Sequence, residues 1–492
     1  MRTVPGRTDR VVVIGAGLGG LSAALHLAGS GREVTVLERA AEPGGRAGVL
    51  RDHGYTFDTG PTVITMPSLI AEALAAVGEE LDNWLDLRRL DPAYRARFAD
   101  GSTLDLHADV DAMASAIRAL CGPADADGYR RLVAYLRKLY DLELPHFIAR
   151  NLDSPFALLG RPLLELVRLG GFRRLAPKVG TFVRDERLRR LFTFQAMYAG
   201  LAPAQALAIY AVITYLDCVA GVYFPMGGVH SVPRALAAAA DKHGVTFRYG
   251  SAATRIEVQA GRAVAVRTDA GERIPADVVV VNADAPTAYR ELLDREPRRL
   301  RYSPSCVVLH AGVRNARPDA HHTISFGAAW QSTFDEIIRH GKVMSDPSFL
   351  LTTPTVTDPS LAPDGAHSQY VLFPAPNLDH RYPIDWAAEA PRYAEHMLAA
   401  LATRGFDVDP EVQHVTTPAD WCGPAGTPFA ATHRFGQTGP FRLPTLDRRV
   451  ENLVFCGANV QPGVGVPMVI VSGRLAAQRI VGADIASATI AT

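Results

Sequence analysis

Six residues, Gly15-Ala16-Gly17-Leu18-Gly19-Gly20, follow a β-branched run, Val11-Val12-Val13-Ile14, and open an apolar helical stretch, Leu21 to Ser30. Residues of these types at this spacing can hold phosphate. Gly15 permits the tight turn, with Ala16 beside it. Gly17 lets backbone approach a pyrophosphate, and Gly20 lets helix and strand pack closely. The helix start offers unpaired N–H groups and the positive end of its dipole. A second strand, Glu33 to Leu37, stops at Glu38, 23 residues after Gly15. That carboxylate can accept hydrogen bonds from a ribose and would repel a 2′-phosphate. A lone GxGxxG says little. Strand, turn, helix, strand and acid in order predict a dinucleotide site on an α/β, Rossmann-type unit.

The residues that follow narrow the dinucleotide. Arg39 to Arg46 reads RAAEPGGR, and Tyr55 to Pro67 reads YTFDTGPTVITMP. The final segment, Asn452 to Ile480, reads NLVFCGANVQPGVGVPMVIVSGRLAAQRI. With the glycine-rich turn, these blocks resemble the family of monoamine oxidases, Rab GDI-like escort proteins and carotenoid desaturases. Within it they resemble the bacterial phytoene desaturases. The resemblance implies FAD rather than NAD or NADP. It also implies that Arg39, Gly44, Gly45 and Arg46 line the pyrophosphate and ribityl chain, and that Gly60, Pro61 and Thr62 lie near the flavin. The adenine would be covered by the block that includes Ala253. The last segment would offer Gly457, Asn459, Pro467, Met468 and Val469. Two departures stand out. Met66 occupies a position that is acidic in many relatives, and Ala458-Asn459 replaces an acid that often binds ribitol.

Other blocks extend the resemblance along most of the chain: FQAMYAGLAP, GVYFPMGGVH, LTTPTVTDPSLAPDG, YVLFPAPNL and RFGQTGPFR. It implies a discontinuous FAD domain, about 8–88, 225–298 and 445–490, and a mixed-sheet and helical substrate domain, 89–224 and 299–444. Strands are expected near Val245 to Arg248, Ala252 to Val258, Ala263 to Thr268, Val278 to Val281 and Leu453 to Cys456. Pro467 is expected in the first turn of a helix reaching Ile480. The Pro-rich stretch 354–391 reads as loops between strands. The 492 residues, with 48% apolar, 21% charged and a net charge of +0, are globular and give no reason to expect nucleic acid as partner. Five scattered cysteines (Cys121, Cys218, Cys306, Cys422 and Cys456) form no disulfide framework or metal cluster.

The longest apolar stretch, Leu191 to Phe224, contains one acid, Asp217, and no Lys or Arg. Pro203, Gly200, Gln205, Tyr210 and Thr214 interrupt it, so it reads as buried helices lining a substrate cavity rather than a bilayer span. Before it, 147–190 carries ten Lys/Arg against four acids, interleaved with Leu and Phe. Such a basic, apolar helical segment suits membrane-surface docking as well as an ordinary solvated face. The resemblance favours docking, because a carotenoid must leave a bilayer. With no secretion signal at the N-terminus, the expected place is the cytoplasm, peripherally on the inner face of the membrane.

The resemblance implies removal of hydrogen from C–C bonds of phytoene or a related acyclic polyene, toward lycopene. One hydrogen would go to the flavin and its neighbour would leave as a proton; quinone or oxygen would reoxidise the flavin. No catalytic residue is assigned. Asp58 suits a structural or cofactor role. Asp217, His230, His310 and His433 read as satisfied polar groups of core or surface. Three rivals remain open: an amine oxidase, which lacks its aromatic pair here; a carotenoid isomerase, ketolase or saturase; and a non-catalytic escort-like lipid-binding protein.

Overall fold

The Val11–Ile14 run owes its apolarity to burial on both faces. In the computed structural model, which describes residues 1–482 except 315, 319, 382, 407, 422 and 424, it lies mid-sheet. The strand Arg10–Ile14 pairs in parallel with Val278–Val281 on one side and Glu33–Leu37 on the other. Leu453–Phe455 and Thr246–Arg248 extend the sheet to five strands. Side chains alternate between two cores, as a period of two requires. Val11, Val13, Val278 and Val280 face helices, whereas Val12, Ile14, Val279 and Val281 face a three-stranded antiparallel sheet built from Ala253–Gln259, Arg262–Thr268 and Arg273–Pro275. The helices Leu18–Gly29 and Val466–Val481 cross so closely that a Cβ on Gly473 would overlap the Gly19 carbonyl oxygen. The expected strand positions hold to within a residue or two.

A second sheet has seven strands, in the order 410–416, 305–314, 366–375, 349–352, 322–325, 94–97, 103–106. Its long central pair, Ser305–Arg314 and Ala366–Ala375, runs antiparallel, with His310 opposite Tyr370. This corrects the reading of 354–391 as loops: a ten-residue strand runs through it. Its polar residues Ser368 and Gln369 are buried, because the sheet is covered on both faces. The helix Trp386–Thr403 packs there through Trp386, Tyr393, Met397 and Leu401.

The third layer is helical. Asp109 caps the helix Val110–Cys121 by accepting from the Asp111 and Ala112 N–H groups. Gly122, at φ +90°, turns the chain into Pro123–Glu143. From there to Ala220 the structure holds only short turns and helices, among them Arg161–Arg168, Leu175–Val179, Glu186–Leu191 and Ala211–Tyr215. The basic segment 147–190 is therefore several pieces, broken at Pro155, Gly160, Gly170-Gly171 and Gly180. No helix among the described residues is long and apolar enough to cross a membrane. Much of 191–224 is buried, as short helices against the core.

Candidate functional site: a glycine cradle opening into an apolar cavity

The cradle begins where the Arg10–Ile14 strand ends. Gly15, at φ +101°, takes a conformation few other residues adopt, and its N–H donates to the Leu37 carbonyl at 2.8 Å. Glu38 is held there by two backbone donors, the Ala16 N–H at 2.7 Å and the Ala40 N–H at 2.9 Å. The loop of the second glycine pair lies against the first turn: Gly44 N–H donates to Ala16 O at 2.9 Å, and Gly17 bridges Gly44. A Cβ on Gly44 would fall 2.5 Å from Ala47 O, and one on Gly60 would overlap the Arg46 carbonyl oxygen. These contacts press RAAEPGGR and FDTGPT together into one backbone-lined wall.

Sixteen of the eighteen residues named from sequence face one cavity of about 2040 Å³. Ala16 and Gly20 do not face it: Ala16 acts through the N–H that fixes Glu38, and a Cβ on Gly20 would overlap Gly15 O. Val466–Val481 begins at Gly465, φ +113°, with no side-chain cap, so its first turn presents backbone toward Pro467, Met468 and Val469 on the wall. The residues fit a dinucleotide: a fixed carboxylate, glycines admitting backbone approach, and two uncapped helix starts.

Three polar residues of the site escaped the sequence reading. Asn282, just past the Val278–Val281 strand, donates to Gly15 O at 3.3 Å and packs against Gly17 and Gly457. Asp284 receives a 2.5 Å hydrogen bond from Asn459 and lies 3.9 Å from the Arg46 guanidinium. Burial pushes its carboxyl above the usual range, against the pull of Arg46. The acid absent after Leu453–Phe455 is thus supplied by the neighbouring parallel strand, while the Asn459 amide is spent on Asp284 and on Ala431 N–H. Arg442, wholly buried, donates to the carbonyls of Ala458, Val460, Ala431 and Gln437, and so shapes the Gly457–Val460 turn. The available signals were an acid three residues past one strand and the arginine that closes RFGQTGPFR.

The polar candidates divide. Asp58 turns its carboxylate away from the cavity and accepts from the Val229 and His230 N–H groups at 2.8 and 3.0 Å; burial raises its pKa to about 6. Met66 is buried at φ +54°, capping the helix Pro67–Ala75. His310 sits off the cavity, 3.2 Å from Asp58 O, and burial depresses its pKa to about 4. His230 reaches the cavity but is bound to Ala47 O at 2.8 Å. His433 is buried on the wall, its pKa driven far down by burial. Asp217 breaks the expectation of satisfied polar groups: it lines the cavity, and its Oδ2 has no hydrogen-bond partner.

Beyond the cradle the cavity wall is mainly apolar, with Phe194, Met197, Val212, Ile213, Phe326 and Leu350, and carries the acids Glu143 and Asp217. It reaches the surface where Val167, Phe172 and Phe435 are both exposed and cavity-lining.

Comparison with known proteins agrees with this construction. The flavin containing amine oxidoreductase family matches residues 18–481. A phytoene dehydrogenase of Streptomyces griseus is 54% identical, covering 99% of this chain and 98% of its own. A zeta-carotene-forming phytoene desaturase of Myxococcus xanthus is 38% identical, covering 96% and 93%. An oxidoreductase of known structure from Methanosarcina mazei shares the fold, with a TM-score of 0.64 at 17% identity over 94% of this chain and 99% of its own. The chain belongs to the flavin containing amine oxidoreductase family and, within it, to the phytoene desaturases.

Proposed function

We propose that this protein is an FAD-dependent desaturase that introduces C=C bonds into phytoene or a related acyclic polyene. The observation that carries the reading is the continuity of one cavity, from a dinucleotide cradle at Gly15 and Glu38 to a long apolar wall. At about 2040 Å³ it is larger than the roughly 300–1,000 Å³ of a usual small-molecule site, as a cofactor and a long chain in one space require. Bound FAD supplies the two-electron acceptor. Glu38 binds the adenosine ribose, with Ala253 beside the adenine. The Gly15–Gly20 and Arg39–Arg46 turns hold the pyrophosphate, and Asp284 and Asn459 face the ribityl chain. Gly60, Pro61, Thr62 and Pro467–Val469 flank the flavin. Phe194, Met197, Ile213 and Leu350 exclude water and orient the chain by shape.

In this reading residues 8–88, 225–298 and 445–490 form the cofactor domain, the last stretch running past the described residues at 482. Residues 89–224 and 299–444 form the substrate domain. The cavity mouth docks on the inner face of the cytoplasmic membrane. Among the described residues, six of the ten exposed large hydrophobic ones, Phe156, Leu159, Leu164, Val167, Phe172 and Phe435, belong to the segments around it, with Arg161, Arg168 and Arg173 exposed among them. Apolar side chains ringed by cations suit an anionic lipid surface. A membrane quinone, or oxygen, reoxidises the flavin.

The test is expression in a phytoene-producing host, followed by product chromatography. New, more conjugated polyenes are expected. A recovered polyene changed only in double-bond geometry would instead make the protein an isomerase, and an oxygenated one a ketolase.

A further inference from the structure

Asp217 is a carboxyl without a counter-charge. It lies in the turn Leu216–Ala220, almost fully buried, in a stretch without Lys or Arg from 191 to 224. The groups that face it are the Tyr94 hydroxyl from the strand Tyr94–Arg97, the Tyr198 hydroxyl from the turn Phe194–Ala199, and the adjacent Cys218 thiol. Gln195, which contacts the adjacent Cys218, is already engaged by the Leu191 carbonyl and Cys218 Sγ at 3.2 and 3.3 Å. A buried carboxyl without a counter-charge is costly to ionise, and this residue lines the substrate wall with the Tyr94 hydroxyl as the group that favours its ionised form.

Its position is tied to the cradle by a line of buried polar side chains. Thr62 meets Thr352 at 3.4 Å, and Thr352 meets His322 Nδ1 at 2.8 Å. The His322 ring lies 5.3 Å from the ring of Tyr94, which neighbours Asp217. Thr62 belongs to the Gly60-Pro61-Thr62 turn. Asp217 is therefore linked through these side chains to the turn that carries Thr62.

We propose that Asp217 is the catalytic base of the desaturation, a role that rests on the desaturase reading above. One C–H bond of the polyene gives its hydrogen and both electrons to the flavin. The C–H bond on the adjacent carbon then breaks, its electron pair becomes the new C=C bond, and its proton goes to the Asp217 carboxylate. Two C–H bonds are lost, one C=C forms, the flavin gains two electrons and a proton, and the carboxylate becomes a carboxylic acid that releases its proton to solvent before the next turn. Burial holds the Asp217 pKa up to about 7, with Tyr94 opposing the shift, which suits a base that must both take and release a proton near neutral pH.

The experiment follows flavin bleaching in a single anaerobic turnover, with liposomal phytoene, across the neutral pH range. In the wild-type protein the rate should rise with pH through an apparent pKa near 7 and then level. Asp217→Asn should keep its flavin and its phytoene binding, slow the bleaching by about 10²–10⁴-fold, and lose the acidic limb. Asp217→Glu should restore a limb and part of the rate. An Asn variant within about threefold of wild type and with an unchanged limb overturns the proposal, as does a wild-type rate independent of pH. That second criterion decides the matter even if the Asn variant does not fold. A wild-type protein that desaturates phytoene while Asp217→Asn matches it removes this inference alone. A wild-type protein that never acts on phytoene removes the desaturase reading and the base with it.

Discussion

The two ends of the cavity are built on different principles. At the cradle, shape is made by backbone: left-handed glycines, carbonyls a Cβ would strike, and a carboxylate pinned by two N–H groups. At the mouth, shape is made by side chains on short helices, several of them exposed. Backbone geometry tolerates little substitution, whereas an apolar lining built from many side chains tolerates a good deal. The cradle should therefore fail sharply when altered, and the mouth should degrade gradually.

The largest effect is expected at Gly60. Gly60→Val drives side-chain atoms into the Arg46 carbonyl. Overpacking of about 3 kcal/mol or more should leave purified protein with little flavin absorbance. A yellow, fully loaded Gly60→Val protein would break the contrast. Next is Glu38→Ala, which removes an acceptor for two N–H groups and, on the proposed reading, for a ribose. Hydrogen bonds to a charged group are worth about 1.5–3 kcal/mol, so FAD should be lost on dialysis, read as a fall in the flavin-to-protein absorbance ratio.

Asp58 braces the cradle loop from outside the cavity and adds a pH dependence. Its folded pKa, about 6, lies above the ordinary 3.8. The native state therefore binds the extra proton between those values, and stability is highest at the acid side of that window and falls as pH rises through it. Asp58→Asn should flatten this slope in thermal melts. It should also lower stability by about 1–3 kcal/mol, since an amide offers one oxygen where two backbone N–H groups need acceptors. A melt series with the same slope in both proteins would assign the proton elsewhere.

The smallest effect on folding belongs to the mouth. Arg161, Arg168 and Arg173 are exposed, and reversing all three to Glu should change stability by only about 0.5 kcal/mol each. Flavin content should hold, while sedimentation with anionic liposomes should fall and lose its salt dependence. Arg174 is the exception in this cluster, because its guanidinium donates to Gln205 O. Charge reversal there would cost fold as well as docking.

The same contrast explains what could be read from the sequence. Cradle residues act through backbone, and backbone geometry writes itself as glycine, proline and β-branched runs at fixed spacing. Gly15 and Pro467 were therefore legible one by one, and Gly44 and Gly60 through the motifs that carry the resemblance. Asp284 and Asn282 were not, because their partners, Arg46, Asn459 and Gly15, are far away in the chain and adjacent only through parallel strand pairing. Ala366–Ala375 was hidden for a different reason: His367, Ser368, Gln369 and Pro374 look like loop residues until the sheet that buries them is in view. Asp217 was visible as a lone acid in an apolar stretch, but its empty Oδ2 depends on where Tyr94 and Gln195 point.

The order of the five-stranded sheet has a consequence for biosynthesis. Its strands come from the first 37 residues, from 246–281 and from 453–455, with Leu453–Phe455 at one edge and the helix Val466–Val481 locked on Leu18–Gly29. Val4 N–H even bonds to Arg479 O, at 2.7 Å. A nascent chain still short of residue 453 lacks one edge strand, the closing helix and the Gly457–Val469 wall. The cradle can close only once these late segments have joined the early strands, so a truncation before Leu453 should yield colourless protein rather than a weaker enzyme.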